Sequence, residues 1–189
     1  FNIGPLINSS GRIAKANDVV ELFLTQNNDK IDKLLNKMNT HNLARKKIEQ
    51  ENLDLIDVKK YYSKNIIFIY NKKFHEGVIG ILAAKLSKIF NKPSFIMTES
   101  HDLLKCSIRS ANNVKISKTI NKLIQNKLIV SGGGHDEAGG FSAKKECLSD
   151  LEEFINKEFE NLDTKDCSYF DTFTIFPKKN SSIISDLKS

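Results

Sequence analysis

The sequence has 189 residues, with 29 Lys and Arg against 23 Asp and Glu, a net charge of +6, 40% hydrophobic residues and 28% charged ones. This is the composition of an ordinary soluble globular protein, long enough for one domain or one and a half, and its mild basic excess is compatible with nucleic acid without pointing to it. No apolar run approaches the ~18 residues of a membrane span, no charged-then-apolar leader opens the chain, and Cys106, Cys147 and Cys167 share no C-x-x-C spacing, so no membrane, disulfide framework or zinc site is expected and a cytoplasmic setting is.

Taken in order, residues 2–12 (Asn-Ile-Gly-Pro-Leu-Ile-Asn-Ser-Ser-Gly-Arg) read as a polar, turn-rich loop, with Asn8, Ser9 and Ser10 favouring local hydrogen bonds and Arg12 at the far end. Asn17 and Asp18 cap a short helix running to Thr25, and Asp29 caps a second that carries Ile31, Leu34, Leu35 and Met38 at helical spacing. Asn39-Thr40-His41-Asn42 reads as an interruption, after which residues 43–59 form a third helix whose narrow stripe of Ala44, Ile48 and Leu55 marks a connecting element with much of its surface wet. Composition changes after residues 62–65. Residues 66–70 are a continuous β-branched and aromatic run, a strand covered on both faces, and residues 77–91 form a helix stopped by Pro93. Strands at 94–97 and 104–108, a helix at 114–125, a strand at 139–143 and a helix at 148–159 complete a layered α/β domain from residue 65 to about 162. Residues 169–176 alternate like a further strand and residues 183–187 begin a helical pattern, and with Phe1 in place of an initiator methionine the chain is expected to be an internal piece of a larger protein.

Five of the nine glycines fall in residues 131–140, Ser-Gly-Gly-Gly-His-Asp-Glu-Ala-Gly-Gly. Placed in a loop, Gly132, Gly133 and Gly134 could take positive φ and turn several N–H groups toward one phosphate oxygen, with His135 at the edge; read plainly, they are a flexible turn beside a surface or core histidine. From Leu103 to His135 there is no acidic residue, and Lys115, Lys118 and Lys122 fall on one face of the expected helix, a basic face suited to an anionic ligand. Ser107 and Arg109 stand two apart on a strand end and so face the same side, offering a hydroxyl and a planar fork of donors, with Ser110 next to them. The alternative is a solvated strand end. His75 opens a helix, either as a ligand contact or as a residue satisfied by the backbone. The pairs His101-Asp102 and His135-Asp136 lack the rest of a metal-ligand set.

Five motifs, residues 2–12, Asn42-x-x-Arg45-Lys46-x-Ile48-Glu49-Gln50, His75-Glu-Gly-Val-Ile-Gly-Ile81, Ser107-Ile-Arg-Ser110 and Gly132-Gly-Gly-His-x-x-Ala-Gly-Gly140, stand in the order seen in RecJ-type single-strand-specific exonucleases of the DHH phosphoesterase superfamily, which the chain resembles. The resemblance implies an α/β fold in which residues 1–41 are the end of the DHH catalytic domain, 42–64 a connecting helix, 65–165 the DHH-associated substrate-binding domain with a mixed sheet, and 166–189 a linker into an oligonucleotide-binding fold. It implies a metal-dependent enzyme that hydrolyses single-stranded DNA from the 5′ end in repair and recombination. Its two manganese or magnesium ions are bound upstream by motifs that include Asp-His-His, which this sequence lacks, so this chain alone is expected to be inactive. Arg12, Ser107 and Arg109 then correspond to residues around the terminal 5′ phosphate, Arg12 within an Ala-Ala-Gly-Arg loop where Ser9 and Ser10 replace the alanines. His135 and the glycines correspond to the part that closes over the scissile phosphate, and Cys106 and Ile108 replace glycines common at those places. Single-stranded DNA is the implied ligand, with a single-strand-binding protein and a helicase as candidate partners, for a monomer. Two other classes stay open: a small-substrate phosphoesterase of the same superfamily, acting on short oligoribonucleotides, cyclic dinucleotides or pyrophosphate, and a nucleic-acid-binding module like the C-terminal domain of alanyl-tRNA synthetases.

Overall fold

The structure is a computed structural model and describes residues 3–14 and 17–162. The sequence readings of residues 169–176 and 183–187 lie outside the described residues.

Three helices come first: α1 (Ile3–Ile13), α2 (Asn17–Leu24) and α3 (Asn28–Asp54). The segment read as a polar loop is therefore a helix. Pro5 sits in its first turn, where a missing N–H leaves no bond unmade, and the Ser9 hydroxyl donates to the Leu6 carbonyl at 2.7 Å, turning a competitor of the backbone into part of the helix. Ser9 and Ser10 are completely buried, and α1 packs along α3. A second correction concerns α3, which is one continuous helix of 27 residues and not two with a break at 39–42. Its cap is Asn27, whose side chain accepts from the Lys30 N–H at 3.0 Å, in place of Asp29. The polar cluster does not interrupt it because its side chains bond within the helix: Thr40 Oγ1 donates to the Asn36 carbonyl at 3.1 Å, and Asn42 Oδ1 accepts from Arg45. A 3-10 turn at Val58–Tyr61 follows, held down by the buried Lys92, whose Nζ donates to the Tyr61 and Tyr62 carbonyls at 3.0 and 2.8 Å.

The α/β unit then runs β1 (Ile67–Tyr70), α4 (Glu76–Phe90), β2 (Ser94–Ser100), β3 (Leu103–Arg109), α5 (Ile116–Gln125), β4 (Ser131–Gly134), β5 (Ala138–Lys144) and α6 (Leu148–Glu158). The sheet order is β1-β2-β3-β5-β4; β1 and β2 are parallel and the other neighbours antiparallel, which makes the mixed sheet expected from the sequence. Asn91 ends α4 in the left-handed conformation (φ 49°), two residues ahead of Pro93. Val78, Leu82 and Leu86 of α4 pack on Ile67, Ile69 and Ile96 from one side of the sheet; on the other, Ile116, Ile120, Leu151 and Ile155 of α5 and α6 pack on Phe95, Cys106, Ile108 and Phe141. Strict alternation along β3 follows from this two-layer cover: Leu104, Cys106 and Ile108 are buried under α5 and α6, and Lys105, Ser107 and Arg109 are left on the α4 side.

Candidate functional site

The N-terminus of α4, the Arg109 end of β3 and the C-terminal end of α1 meet around an open pocket of ≈ 570 Å³ whose lining includes Arg12, His75, Glu76, Gly80, Lys105, Ser107 and Arg109. His75 is the N-cap of α4: its Nδ1 accepts from the Gly77 N–H at 3.0 Å, and its own N–H donates to Asn52 Oδ1 of α3 at 3.1 Å. The backbone-satisfied alternative thus describes His75, which caps the helix and also lines the pocket. Arg12 reaches across from α1 and donates Nη1 to the Gly77 carbonyl at 3.1 Å. A Cβ at Gly77 would collide with the Arg12 carbonyl, so this close approach requires glycine. At Gly80 a Cβ would stand 3.2 Å from Ser107 Oγ and 3.9 Å from Arg109 Nη2, so the bare Cα leaves room for both.

The electrostatics of this pocket are one-sided. Burial, and then the nearby Arg12 charge, lower the pKa of Arg109 from its ordinary value. Arg109 Nη1 donates to the Ile108 carbonyl at 2.9 Å, and among the described residues neither arginine has a carboxylate partner. Arg109 is partly withdrawn from water with the exposed Arg12 nearby, and an anion beside Arg109 would offset both its burial and the like charge. Glu76 is the one acid in the lining. Such a donor set suits phosphate and does not fit a divalent cation; among the described residues no group of three or more His, Cys, Asp or Glu converges anywhere.

The glycine run is not the loop that its composition suggests. Ser131–Gly134 is strand β4, paired through Gly132↔Phe141, Gly133↔Gly140 and Gly134↔Gly139, and Gly132 and Gly133 have no positive φ. The N–H groups of consecutive residues in a strand point to alternate sides, so they form no concave nest. Glycine serves packing here: a Cβ at Gly140 would press on the Cys106 carbonyl and one at Gly139 on the Ile120 side chain, whereas Gly133 faces open space. Residues directly opposite in antiparallel strands share a face, so Ser107, Gly140 and Gly133 make one row across the sheet. His135 lies just past the end of β4, where its N–H donates to the Ala138 carbonyl at 2.8 Å, and Ala138 stands opposite Arg109. His135 is exposed and outside the pocket lining.

Ser110 is also outside the lining. Its N–H donates to the Glu137 carbonyl, its Oγ to the Val114 carbonyl, and its carbonyl accepts from Ser87 Oγ, so it secures the end of β3. The basic helix face departs further from the sequence reading. Lys115, Lys118 and Lys122 belong to α5 or its cap, and α5 packs on the opposite side of the sheet from Ser107. Lys115 pairs with Asp136 at 3.3 Å and Lys122 with Glu158 at 2.5 Å. The acid-free window in the sequence is therefore not acid-free in space. Three contributors were not picked out as site residues from the sequence: Lys105, signalled by its i−2 spacing from Ser107, Gly80, one helical turn after Gly77, and Asn52, for which the sequence carries no signal beyond its polarity in a helix.

The DHHA1 domain family matches residues 63–161. The chain belongs to this family. The DHHA1 match takes in α4, the whole sheet and α6, and so contains His75, Ser107, Arg109 and His135 but not Arg12. Over most of its length the chain is similar to the single-stranded-DNA-specific exonuclease RecJ of Haemophilus influenzae (26% identical over 168 residues, 83% of this chain and 29% of the relative) and of Salmonella typhimurium (29% over 155 residues, 77% and 27%). It spans less than a third of the length of these relatives. Among solved structures, RecJ from Thermus thermophilus in complex with Mn2+ superposes with a TM-score of 0.77 at 22% identity, over 85% of this chain and 24% of that one, and shares the fold described here.

Proposed function

We propose that this chain is the substrate-binding half of a single-stranded-DNA-specific 5′ exonuclease and that the pocket between α1, α4 and β3 holds the terminal 5′ phosphate. The observation that carries the reading is the pair Arg12 and Arg109, two guanidinium groups without carboxylate partners beside the free hydroxyl of Ser107. Arg109 offers a fork matched to phosphate oxygens, Ser107 a hydroxyl on the same strand face, and Lys105 a point charge one step along. The glycine strip then gives a strand leaving the pocket a side-chain-free floor as far as His135, which can donate to a phosphate further along. The names of the relatives support the substrate class. The metal-dependent hydrolysis is assigned to residues outside this chain, because the pocket's donors repel divalent cations; Mn2+ or Mg2+ therefore belongs to the proposed whole enzyme and not to this half.

The test is equilibrium binding of 5′-phosphorylated and 5′-hydroxyl oligothymidylate. Arg109→Ala deletes a charge-assisted contact of about 1.5–3 kcal/mol, so it should weaken the phosphorylated strand by about ten- to a hundredfold and the hydroxyl strand far less. Arg109→Lys should restore part of the loss, since it keeps the charge without the fork. Equal losses on both ends would make Arg109 a general backbone contact and sink the end-binding reading.

A further inference from the structure

One motif singled out in the sequence lies wholly outside the pocket: Asn42, Arg45 and Glu49 on α3, extended by Asn52 to a single stripe at spacings of three, four and three residues. Glu49, 6% exposed, accepts from Arg45 Nη1 at 2.5 Å and pairs through its other oxygen with Lys85 of α4. Arg45 in turn donates Nε and Nη2 to Asn42 Oδ1 at 3.3 and 3.1 Å. Asn52, 5% exposed, donates Nδ2 to the Ile48 carbonyl at 2.5 Å and accepts the His75 N–H. A polar seam centred on the buried Glu49 and Asn52 thus joins α3 to α4 at two levels, its middle and its cap. Ion pairs and amides buried in this way do more to fix one arrangement than to add net stability, since each partner left alone would be costly.

The seam lies behind a pocket whose two arginines stand on different bodies. Arg109 is fixed to the sheet; Arg12 is on α1, which packs along α3 and meets α4 at the Gly77 contact. The docking of α3 on α4, together with the direct Gly77 contact, therefore sets how far Arg12 stands from Arg109.

We propose that Glu49 and Asn52 are positioning residues that hold Arg12 and Arg109 at the separation needed to favour a terminal phosphate monoester over an internal phosphodiester. The inference rests on the phosphate-binding reading above. A monoester carries about −1.5 to −2 charge near neutral pH and three free oxygens, whereas a diester carries a single charge and two. Only a pocket with both guanidinium groups in reach uses that difference. With α3 slack on α4, one arginine engages and the two kinds of phosphate become equivalent.

The experiment uses this chain and the same two oligothymidylate probes, reading the ratio of their dissociation constants and the absolute affinity for the hydroxyl strand. Glu49→Gln and Asn52→Ala should lower the ratio from about tenfold or more toward one, while the hydroxyl strand stays within about twofold of its original affinity. Asn52→Asp keeps an acceptor for the His75 N–H but loses the donor to the Ile48 carbonyl, so it should retain part of the ratio. A parallel loss of affinity for both probes, or an unchanged ratio in Glu49→Gln and Asn52→Ala, overturns the positioning role. If Asn52→Ala does not fold, Glu49→Gln decides: a lowered ratio with unchanged affinity for the hydroxyl strand supports the inference, and any other result overturns it. Absence of an end preference in the unmodified chain defeats the phosphate reading and the positioning role with it, whereas a preference that survives the variants defeats the positioning role alone.

Discussion

The same substitution, glycine to alanine, should act with opposite sign at two places one turn apart on α4. In a helix interior the change is worth about 0.8–1 kcal/mol in favour of alanine, because the unfolded chain loses freedom and the helix loses an exposed stretch of backbone. At Gly80 the new Cβ meets the Ser107 hydroxyl at 3.2 Å, a group that rotates about χ1, so little opposes the gain. Gly80→Ala should raise the unfolding free energy by about 0.5–1 kcal/mol. At Gly77 the new Cβ meets backbone, the Arg12 carbonyl carbon at 2.9 Å with its oxygen closer still, and backbone held by α1 packing cannot swing aside. An overpacking cost of about 1–3 kcal/mol exceeds the propensity gain, so Gly77→Ala should destabilise by up to about 2 kcal/mol. Urea denaturation of the two variants, with affinity for 5′-phosphorylated oligothymidylate measured alongside, separates the cases. Gly80→Ala should be the more stable protein and the weaker binder, since its methyl group occupies the space beside Ser107 and Arg109. Two results would refute the reasoning: a stabilised Gly77→Ala, which would mean that α1 does not abut α4, or full phosphate affinity in Gly80→Ala, which would mean that the pocket is not where the phosphate sits.

Acid should loosen the β4–β5 hairpin tip. The Ser117 hydrogen bond, with Lys115 alongside, holds the Asp136 carboxyl below its ordinary range, and a depressed folded-state value gives stability that is present above the unfolded value and lost as pH falls through the folded one. Between about pH 7 and pH 5 the contacts at Ser117 should be constant, and below about pH 4 they should weaken, a dependence that Asp136→Asn abolishes; amide chemical shifts of Ser117 followed through the titration check it. The thiols should differ too: complete burial pushes the Cys106 thiol well above its ordinary value, so alkylation at Cys106 should wait for unfolding while the half-buried Cys147 reacts in the native protein, and rapid native labelling of Cys106, read by peptide mass, would contradict the packing of β3 against α5 and α6.

The elements that the sequence revealed best are those whose burial writes a period into the chain. Residues 66–70, covered on both faces, and the broad apolar face of α4 were legible because nothing but a core explains them. Ser107 and Arg109 were legible for the same reason in reverse: the buried Cys106 and Ile108 set the alternation that puts both on one side. Where local chemistry and tertiary packing disagreed, packing won. Asn8-Ser9-Ser10 carries turn-forming side chains, yet small buried serines are what allow α1 to lie close on α3. Asn39 to Asn42 looked like a break because a window sees hydrogen-bonding competitors and not the bonds that absorb them. Lys115 and Lys122 looked unpaired because their acids, Asp136 and Glu158, come from elsewhere in the fold. Three adjacent glycines read as a turn to any local rule, and only the partner strand, with Phe141 and Gly140 opposite, draws them into a sheet.

That strand, β4, is also an outer edge of the sheet, four residues long, exposed throughout and bearing a single serine among glycines. An exposed edge ordinarily invites another chain to add itself as the next strand, and the invitation is strongest when apolar or β-branched side chains can interlock across the new seam. This one has almost nothing to interlock and is too short to hold a guest by backbone bonds alone, while glycine's own freedom further penalises an added layer. The bare surface proposed as the floor for a nucleic-acid strand should thus also keep copies of the protein from stacking edge to edge. Replacing Gly133, which faces open space, with valine would leave the native sheet intact and raise its tendency to self-associate.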